Sequence, residues 1–305
     1  MIAVDLFSGL GGFTEGARLA GVRVAWASNH WSLAVDVHAA NHPEVEHVCQ
    51  DLHQADWTRV PRHDLLLASP ACQGHSTARG GEKPHHDAQR STAWAIVSAA
   101  ETCQPRALIV ENVERFRRWQ LFPFWAQALE ALGYRLTEHI VDSADCGVPQ
   151  NRRRLFVIGL RRRPRMGRID PRVHHVPIAS VVDFDRGEWT PINKPGRSPK
   201  TLQRVANARE RYGNRFVMPY YSLSSGITGR PLERPIGTIT TISRWALVDG
   251  HRMRMLNVDE LRAAMGFRAD YRLPERKRDA EHMLGNAVTP PVAEHLIRRV
   301  ADAVA

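Results

Sequence analysis

A cysteine just past a buried strand can act as a nucleophile when its surroundings favour the thiolate. Cys72 is so placed, because Ser69-Pro70-Ala71-Cys72-Gln73-Gly74-His75-Ser76 follows the apolar run Leu65-Leu66-Leu67-Ala68, at a strand end where α/β sheets bind their ligands. The bland alternative for a lone cysteine is a small buried hydrophobe. Glu111 follows a second apolar run, Ala107-Leu108-Ile109-Val110, and so falls on the same sheet edge as Cys72. Thiolate and carboxyl together could perform nucleophilic and acid–base chemistry.

Other chemistries find less support. Cys49, Cys72, Cys103 and Cys146 are scattered without metal spacing or a disulfide framework, which fits a reducing compartment, and the pairs His85-His86 and His174-His175 lack companions. No metal site is expected. The formal net charge is +10, and all of the 42 basic residues except Lys83, Lys194, Lys200 and Lys277 are arginines. That balance suits a polyanionic partner, although an Arg- and Ala-rich composition also follows from codon bias. Clustering says more: eight arginines and no acid lie between Asn151 and Ile169, the density of a phosphate-tracking surface rather than a solvated face.

The elements that must carry these residues read as an α/β chain. Ile2 to Phe7 is a strand, and Phe7-Ser8-Gly9-Leu10-Gly11-Gly12 turns from it into a helix whose apolar face is Leu10, Phe13, Ala17 and Ala20. The turn does not complete Gly-x-Gly-x-x-Gly, since Thr14 stands at the third glycine's place, which leaves open an adenosine-type cofactor without a pyrophosphate. A second strand, Val22 to Ser28, ends at Asn29-His30-Trp31, where nucleotide-binding sheets place an acid for the ribose. Trp31 could stack on an adenine or lid the core. A third strand ends near Asp51-Leu52, and a polar, glycine-bearing loop from Gly74 to Asp87, with Ser76 and Arg79, follows the cysteine turn. Tyr134 to Val141 and Arg154 to Leu160 read as an antiparallel pair. From Arg161 to about Arg234 the pattern turns irregular, Ile236 to Ile242 is strand-like, and Gly285-Asn286-Ala287-Val288-Thr289-Pro290-Pro291 leads into a final helix.

Taken in order, Phe7-Ser8-Gly9-Leu10-Gly11-Gly12, Cys72-Gln73, Glu111-Asn112-Val113, Gln150-Asn151-Arg152-Arg153-Arg154 and Gly285-Asn286-Ala287-Val288 resemble the DNA cytosine-5 methyltransferase family, nearly end to end apart from the irregular middle. The resemblance implies a Rossmann-like S-adenosylmethionine-dependent methyltransferase sheet with a smaller irregular target-recognition domain. The catalytic domain would span 1–165, completed by 281–305, with target recognition in 166–245 and a connecting hinge in 246–280. It implies S-adenosylmethionine, with S-adenosylhomocysteine as product, at Phe7 to Gly12, His30, Trp31, Asp51, Leu52, Pro70, Asn286 and Ala287. A flipped-out cytosine would lie beside Cys72, attended by Glu111 and by Arg154 or, less well placed, Arg152. Gln73, Ser76, Arg79, Asn112 and Thr238 would meet the substrate. The expected partner is duplex DNA, met by a cytoplasmic monomer beside a separately encoded restriction endonuclease, with no membrane or metal.

Two positions depart from the family pattern: Ala71 replaces a proline before the cysteine, and His30 replaces a glutamate before Trp31, so the ribose meets an imidazole with one acceptor and one donor. Two alternatives share the motifs. One is the tRNA-methylating branch of the fold, whose Cys-Phe-Thr run is missing here; the other is an inactive methyltransferase-like DNA-binding protein, against which the joint presence of Cys72, Glu111 and Arg154 argues.

Overall fold

The computed structural model describes residues 1–70, 91–171, 173–220 and 229–305. Its residues gather into two compact units, one of Met1–Asp142, Arg153–Pro171 and Ala287–Ala305, the other of Ser143–Arg152 and Arg172–Asn286.

In the first unit the runs read as buried strands stand at the centre of one sheet. β1 (Ile2–Leu6), β2 (Arg23–Asn29), β3 (Glu46–Cys49), β4 (Leu65–Ala68) and β5 (Ala107–Asn112) are parallel. β6 (Tyr134–Asp142) and β7 (Arg153–Arg161) form the expected antiparallel pair, and β7 runs against β5. The order across the sheet is β3-β2-β1-β4-β5-β7-β6. Helices cover it: α1 (Gly12–Leu19), α2 (Ser32–Asn41), α3 (Trp94–Cys103), α4 (Phe122–Ala131) and, from the far end of the chain, α8 (Pro290–Val304). Covered strands need no polar alternation, so β4 and the Ala107–Val110 stretch of β5 are apolar throughout. Leu66 and Val110 pack with Ile96 of α3 and Trp125 of α4 in one cluster. The Trp125 indole N–H donates to the Ala93 carbonyl at 2.9 Å, so the largest core side chain buries no unmet polar atom there.

Because β7 is antiparallel to its neighbour, its first residues lie where the parallel strands end. Glu111 and Asn112 pair with Phe156 and Leu155, whereas Leu160 pairs with Ala107 at the start of β5. Arg153 and Arg161 therefore mark opposite edges of the sheet, roughly 25 Å apart at strand rise. The arginine-rich span is thus divided between the two ends of β7. At the far edge Arg161 donates to the Leu132 carbonyl and to Gln104, Arg165 pairs with Glu130, and Arg168 pairs with Asp170.

The second unit holds a four-stranded antiparallel sheet, β8 (Thr190–Pro191), β11 (Arg252–Met255), β10 (Trp245–Asp249) and β9 (Arg215–Pro219) in that order. Helix α5 (Pro199–Tyr212) lays Val205 and Ala208 on Phe216, Met218, Ala246 and Val248. This order replaces much of the irregularity expected there. α5 has only a thin stripe of buried residues, Thr201, Val205 and Ala208, on an otherwise polar surface, so its periodicity is faint. Segment 246–280 supplies β11 and α6 (Val258–Ala264), and α7 (Lys277–Asn286) follows.

Ile236 to Ile242, expected as a strand, forms none: it has a single bridge, Gln150 to Ile236, and bends at Thr241 and Ile242. Side chains take the place of a neighbouring strand: Gln150 Oε1 accepts from the Ile239 amide at 2.8 Å, and Arg152 Nη1 donates to the Ile239 carbonyl at 3.0 Å. Among the described residues no helix is long and apolar enough to cross a membrane.

Candidate active site

The site builds outward from the carboxyl edge of the seven-stranded sheet. β1 runs into a turn that needs left-handed backbone at Phe7 (φ 58°), Gly9 (φ 53°) and Gly11 (φ 90°). The Ser8 amide donates to the Ser28 carbonyl of β2, and the Ser8 carbonyl accepts from Gly11, which pins the turn to the sheet. Gly12 is required for a different reason. A Cβ there would lie 2.0 Å from the Val288 carbonyl oxygen, so the first turn of α1 and the Ala287-Val288 segment meet backbone to backbone. Leu10 and Ala287 are buried beside this contact, and Asn286 is exposed.

β2 ends in an exposed His30 and a half-buried Trp31, whose amide donates to Asn29 Oδ1 at 3.0 Å. β3 ends at an exposed Asp51 that accepts from the His53 amide, while Leu52 points into the core cluster. This edge fits an adenosyl sulfonium amino acid. The turn carries no side chain at Gly9, whose Cβ position meets only the Phe7 carbonyl, at 3.8 Å, and polar groups at His30 and Asp51 flank a half-buried indole. Phe7, by contrast, packs on the core cluster.

Next along the edge, the Ser69 amide donates to the Leu6 carbonyl and Pro70 is buried. Cys72, Gln73, Ser76 and Arg79 lie outside the described residues. Asn112, at the end of β5, donates from Nδ2 to the Pro70 carbonyl at 3.2 Å, and its Oδ1 accepts from the Val113 amide at 2.8 Å. Both ends of that side chain are committed to backbone, so its position serves the turn that leads to Cys72.

Glu111 is 6 % exposed, and its Oε1 is 3.3 Å from Arg154 Nε. The two therefore share a desolvated spot at the edge, one strand from Pro70. Arg154 Nη1 also donates to the Arg153 carbonyl at 2.9 Å. A buried carboxyl beside a guanidinium offers an acceptor or a shared proton next to a fixed positive charge.

Arg152, the weaker arginine candidate, is placed differently. At 2 % exposure, its guanidinium donates to the carbonyls of Ile239 and Gly285, at 3.0 and 2.8 Å. The Thr238 hydroxyl likewise donates to the Asn151 carbonyl at 2.9 Å. Sequence reasoning passed over two groups. Gln150, fully buried, works with Arg152 on Ile239, and its alternation with Arg152 was the available sign. Asp5, the one acid inside an apolar strand, accepts from the Thr14 hydroxyl at 2.8 Å.

With this geometry in place, similarity to known proteins can be weighed. The sequence matches the family profile of C-5 cytosine-specific DNA methylases over residues 1–185 and 186–302. Type II methyltransferase M.HgiDI of Herpetosiphon aurantiacus is 28 % identical over 94 % of this chain and 90 % of its own, and M.NlaX of Neisseria lactamica is 27 % identical over 98 % and 94 %. A prophage-encoded DNA modification methyltransferase structure from E. coli superposes with a TM-score of 0.74 at 19 % identity, covering 100 % of this chain and 99 % of that one. At that identity the likeness speaks for the fold. On the family match the chain belongs to the C-5 cytosine-specific DNA methylases, enzymes that methylate cytosine with S-adenosylmethionine as methyl donor.

Proposed function

We propose that this protein methylates carbon 5 of a flipped-out cytosine in duplex DNA through a covalent bond to Cys72. The observation that carries the reading is the Glu111–Arg154 pair, 3.3 Å apart and largely desolvated, on the sheet edge where β4 leads through Pro70 toward Cys72. Carbon 5 of cytosine is a poor nucleophile. A Cys72 thiolate adding to carbon 6 breaks the ring's aromaticity and makes carbon 5 enamine-like. S-adenosylmethionine supplies an electrophilic methyl group. Glu111 meets ring nitrogen 3, where negative charge develops as the thiolate adds, and Arg154 holds the cytosine carbonyl. Carbon 5 takes that methyl group, and water then accepts the carbon 5 proton as the bond to Cys72 breaks, which releases the thiolate and restores the ring.

The cofactor would rest on the Phe7–Gly12 turn, with His30 and Trp31 at its nucleoside end. Gln150, Arg152 and Thr238 shape the chain at Ile239 rather than touch the base. The target carbon is out of reach within a duplex, so the base must leave the stack, and the segment from Gly74 to Asp87 is assigned as its clamp. The second unit is assigned to target recognition. We place the enzyme in the cytoplasm as a monomer, alongside a separately encoded restriction endonuclease.

Duplex carrying 5-fluorocytosine at the target blocks loss of the carbon 5 substituent and should trap the protein in a denaturant-resistant complex. Equal trapping by wild type and Cys72→Ala would overturn the covalent mechanism. Methyl transfer to tRNA in preference to duplex DNA would reassign the substrate.

A further inference from the structure

A polar chain crosses the apolar layer beneath the glycine turn. Asp5 of β1 is 1 % exposed; its Oδ2 accepts from the Thr14 hydroxyl at 2.8 Å, and its Oδ1 is buried with no hydrogen-bond partner among the described residues. Thr14 Oγ1 is 3.1 Å from Nε2 of His38 in α2, and His38 Nδ1 is 2.7 Å from Nε2 of His47 in β3. His38 is buried, and the half-buried His47 opens the chain to solvent.

A hydroxyl has one proton, so the chain has two polarities. With Asp5 ionised, Thr14 donates to Asp5 and accepts from His38 Nε2–H, and His38 Nδ1 accepts from His47. When a proton arrives at His47 Nδ1, each bond passes on its own proton, and the net change is one proton on Asp5 with every donor reversed. The ionised state has a specific consequence for α1. Gly11, its N-cap, has no side chain to cap with, and Asp5 holds the first turn of the helix from the neighbouring strand through the Thr14 hydroxyl, with a negative charge at the helix N-terminus when ionised.

We propose that Asp5, Thr14 and His38 are positioning residues for the cofactor, a proton-linked cap whose ionised form holds the Phe7–Gly12 turn in its binding shape. The inference rests on the assignment of S-adenosylmethionine to that turn. Around the chain, α1 brings Glu15, paired with Arg18; α2 brings His38; the turn after it brings His42 and Glu44, 4.0 Å apart; and β3 brings His47. β2 carries only Arg23, at its exposed start, and β4 is apolar. α8 brings His295 and Glu294, the latter bonded to Arg298. Burial pushes the Asp5 carboxyl up to about 7, against the lowering effect of its hydrogen bonding to Thr14. Burial, with His42 and His47 nearby, holds the His38 imidazole well below its usual range.

Calorimetric titration of S-adenosylhomocysteine across neutral pH tests the proposal on wild type, Asp5→Asn, His38→Leu and His30→Ala. Wild type should bind several-fold more weakly a unit below neutrality than a unit above, because binding selects ionised Asp5. Asp5→Asn keeps the shape and an acceptor but cannot ionise, so its affinity should be flat with pH. His38→Leu removes the bond that orients Thr14 toward the carboxylate, so the midpoint should move to higher pH. This variant leaves β1 and the turn intact and keeps the test open if Asp5→Asn does not fold. A wild-type pH profile surviving in Asp5→Asn, or one flattened by His30→Ala alone, overturns the proposal. If wild type binds no S-adenosylhomocysteine at any pH, the cofactor assignment fails and the proposal with it, a result distinct from binding that ignores Asp5. Thermal unfolding gives a second reading. A carboxyl raised from 3.8 to about 7 contributes stability that is present below the lower value and is lost as pH rises through the upper one. Asp5→Asn should abolish that decline.

Discussion

The two units solve the problem of pairing their backbone in opposite ways. In the seven-stranded sheet, strand pairs with strand and the side chains are free to be apolar, as in the buried runs Leu65–Ala68 and Ala107–Val110. In the smaller unit, charged and polar side chains often stand in for a missing strand. Gln150 and Arg152 bracket Ile239, Arg197 donates to the carbonyls of Ile192 and Pro191, and Arg204 donates to that of Pro219. Arg254 and Glu260, 2 % and 3 % exposed, form a buried pair at 2.6 Å. A substitution that would be a surface event in an ordinary domain is therefore a backbone event here. Much of the chain's arginine content serves its own fold before any partner.

Arg152→Leu gives the sharpest form of that contrast. It strips two buried carbonyls of their donor and should cost about 3 to 5 kcal/mol in urea unfolding. Arg154→Leu, two positions on, should cost far less stability and yet abolish methyl transfer. Equal costs would erase the distinction. In the sheet unit the vulnerable point is a contact rather than a charge: Gly12→Ala drives a methyl group into the Val288 carbonyl and should cost about 2 to 3 kcal/mol, with weakened S-adenosylhomocysteine binding. The smallest effect is expected at the far sheet edge. Replacing Arg161, Arg162 and Arg163 together with serine should change the log–log salt slope of DNA binding by less than about one. A larger drop would return these residues to the DNA surface.

The strands and the site's edge were legible because burial on both faces writes apolar runs, and the groups expected to do chemistry follow the ends of those runs. Glu111 and Arg154 could be placed together once β7 was read as antiparallel. The second unit was harder to read for the reason just given. Ile236 to Ile242 carries a strand's residues, but its partners are the side chains of Gln150 and Arg152, which leave no alternating pattern. The density of arginines did not by itself show that Arg153 and Arg161 stand at opposite ends of one strand. Thr14 was visible as a missing third glycine, but its bond to Asp5 needed the fold to bring strand and helix together.

The close approach of Gly12 to Val288 also sets an order of events during synthesis. The Phe7–Gly12 turn leaves the ribosome about 275 residues before the backbone that buries the first turn of its helix. Until Val288 and α8 arrive, the face of α1 at Gly12 and Gly16 has nothing to close upon, because the atoms that crowd those positions belong to Val288, Pro290, Ala293 and Glu294. Such long-range closure is slow to form and exposes apolar surface meanwhile. A nascent chain thus carries α1 with its glycine face unburied until the segment from Val288 into α8 has been made.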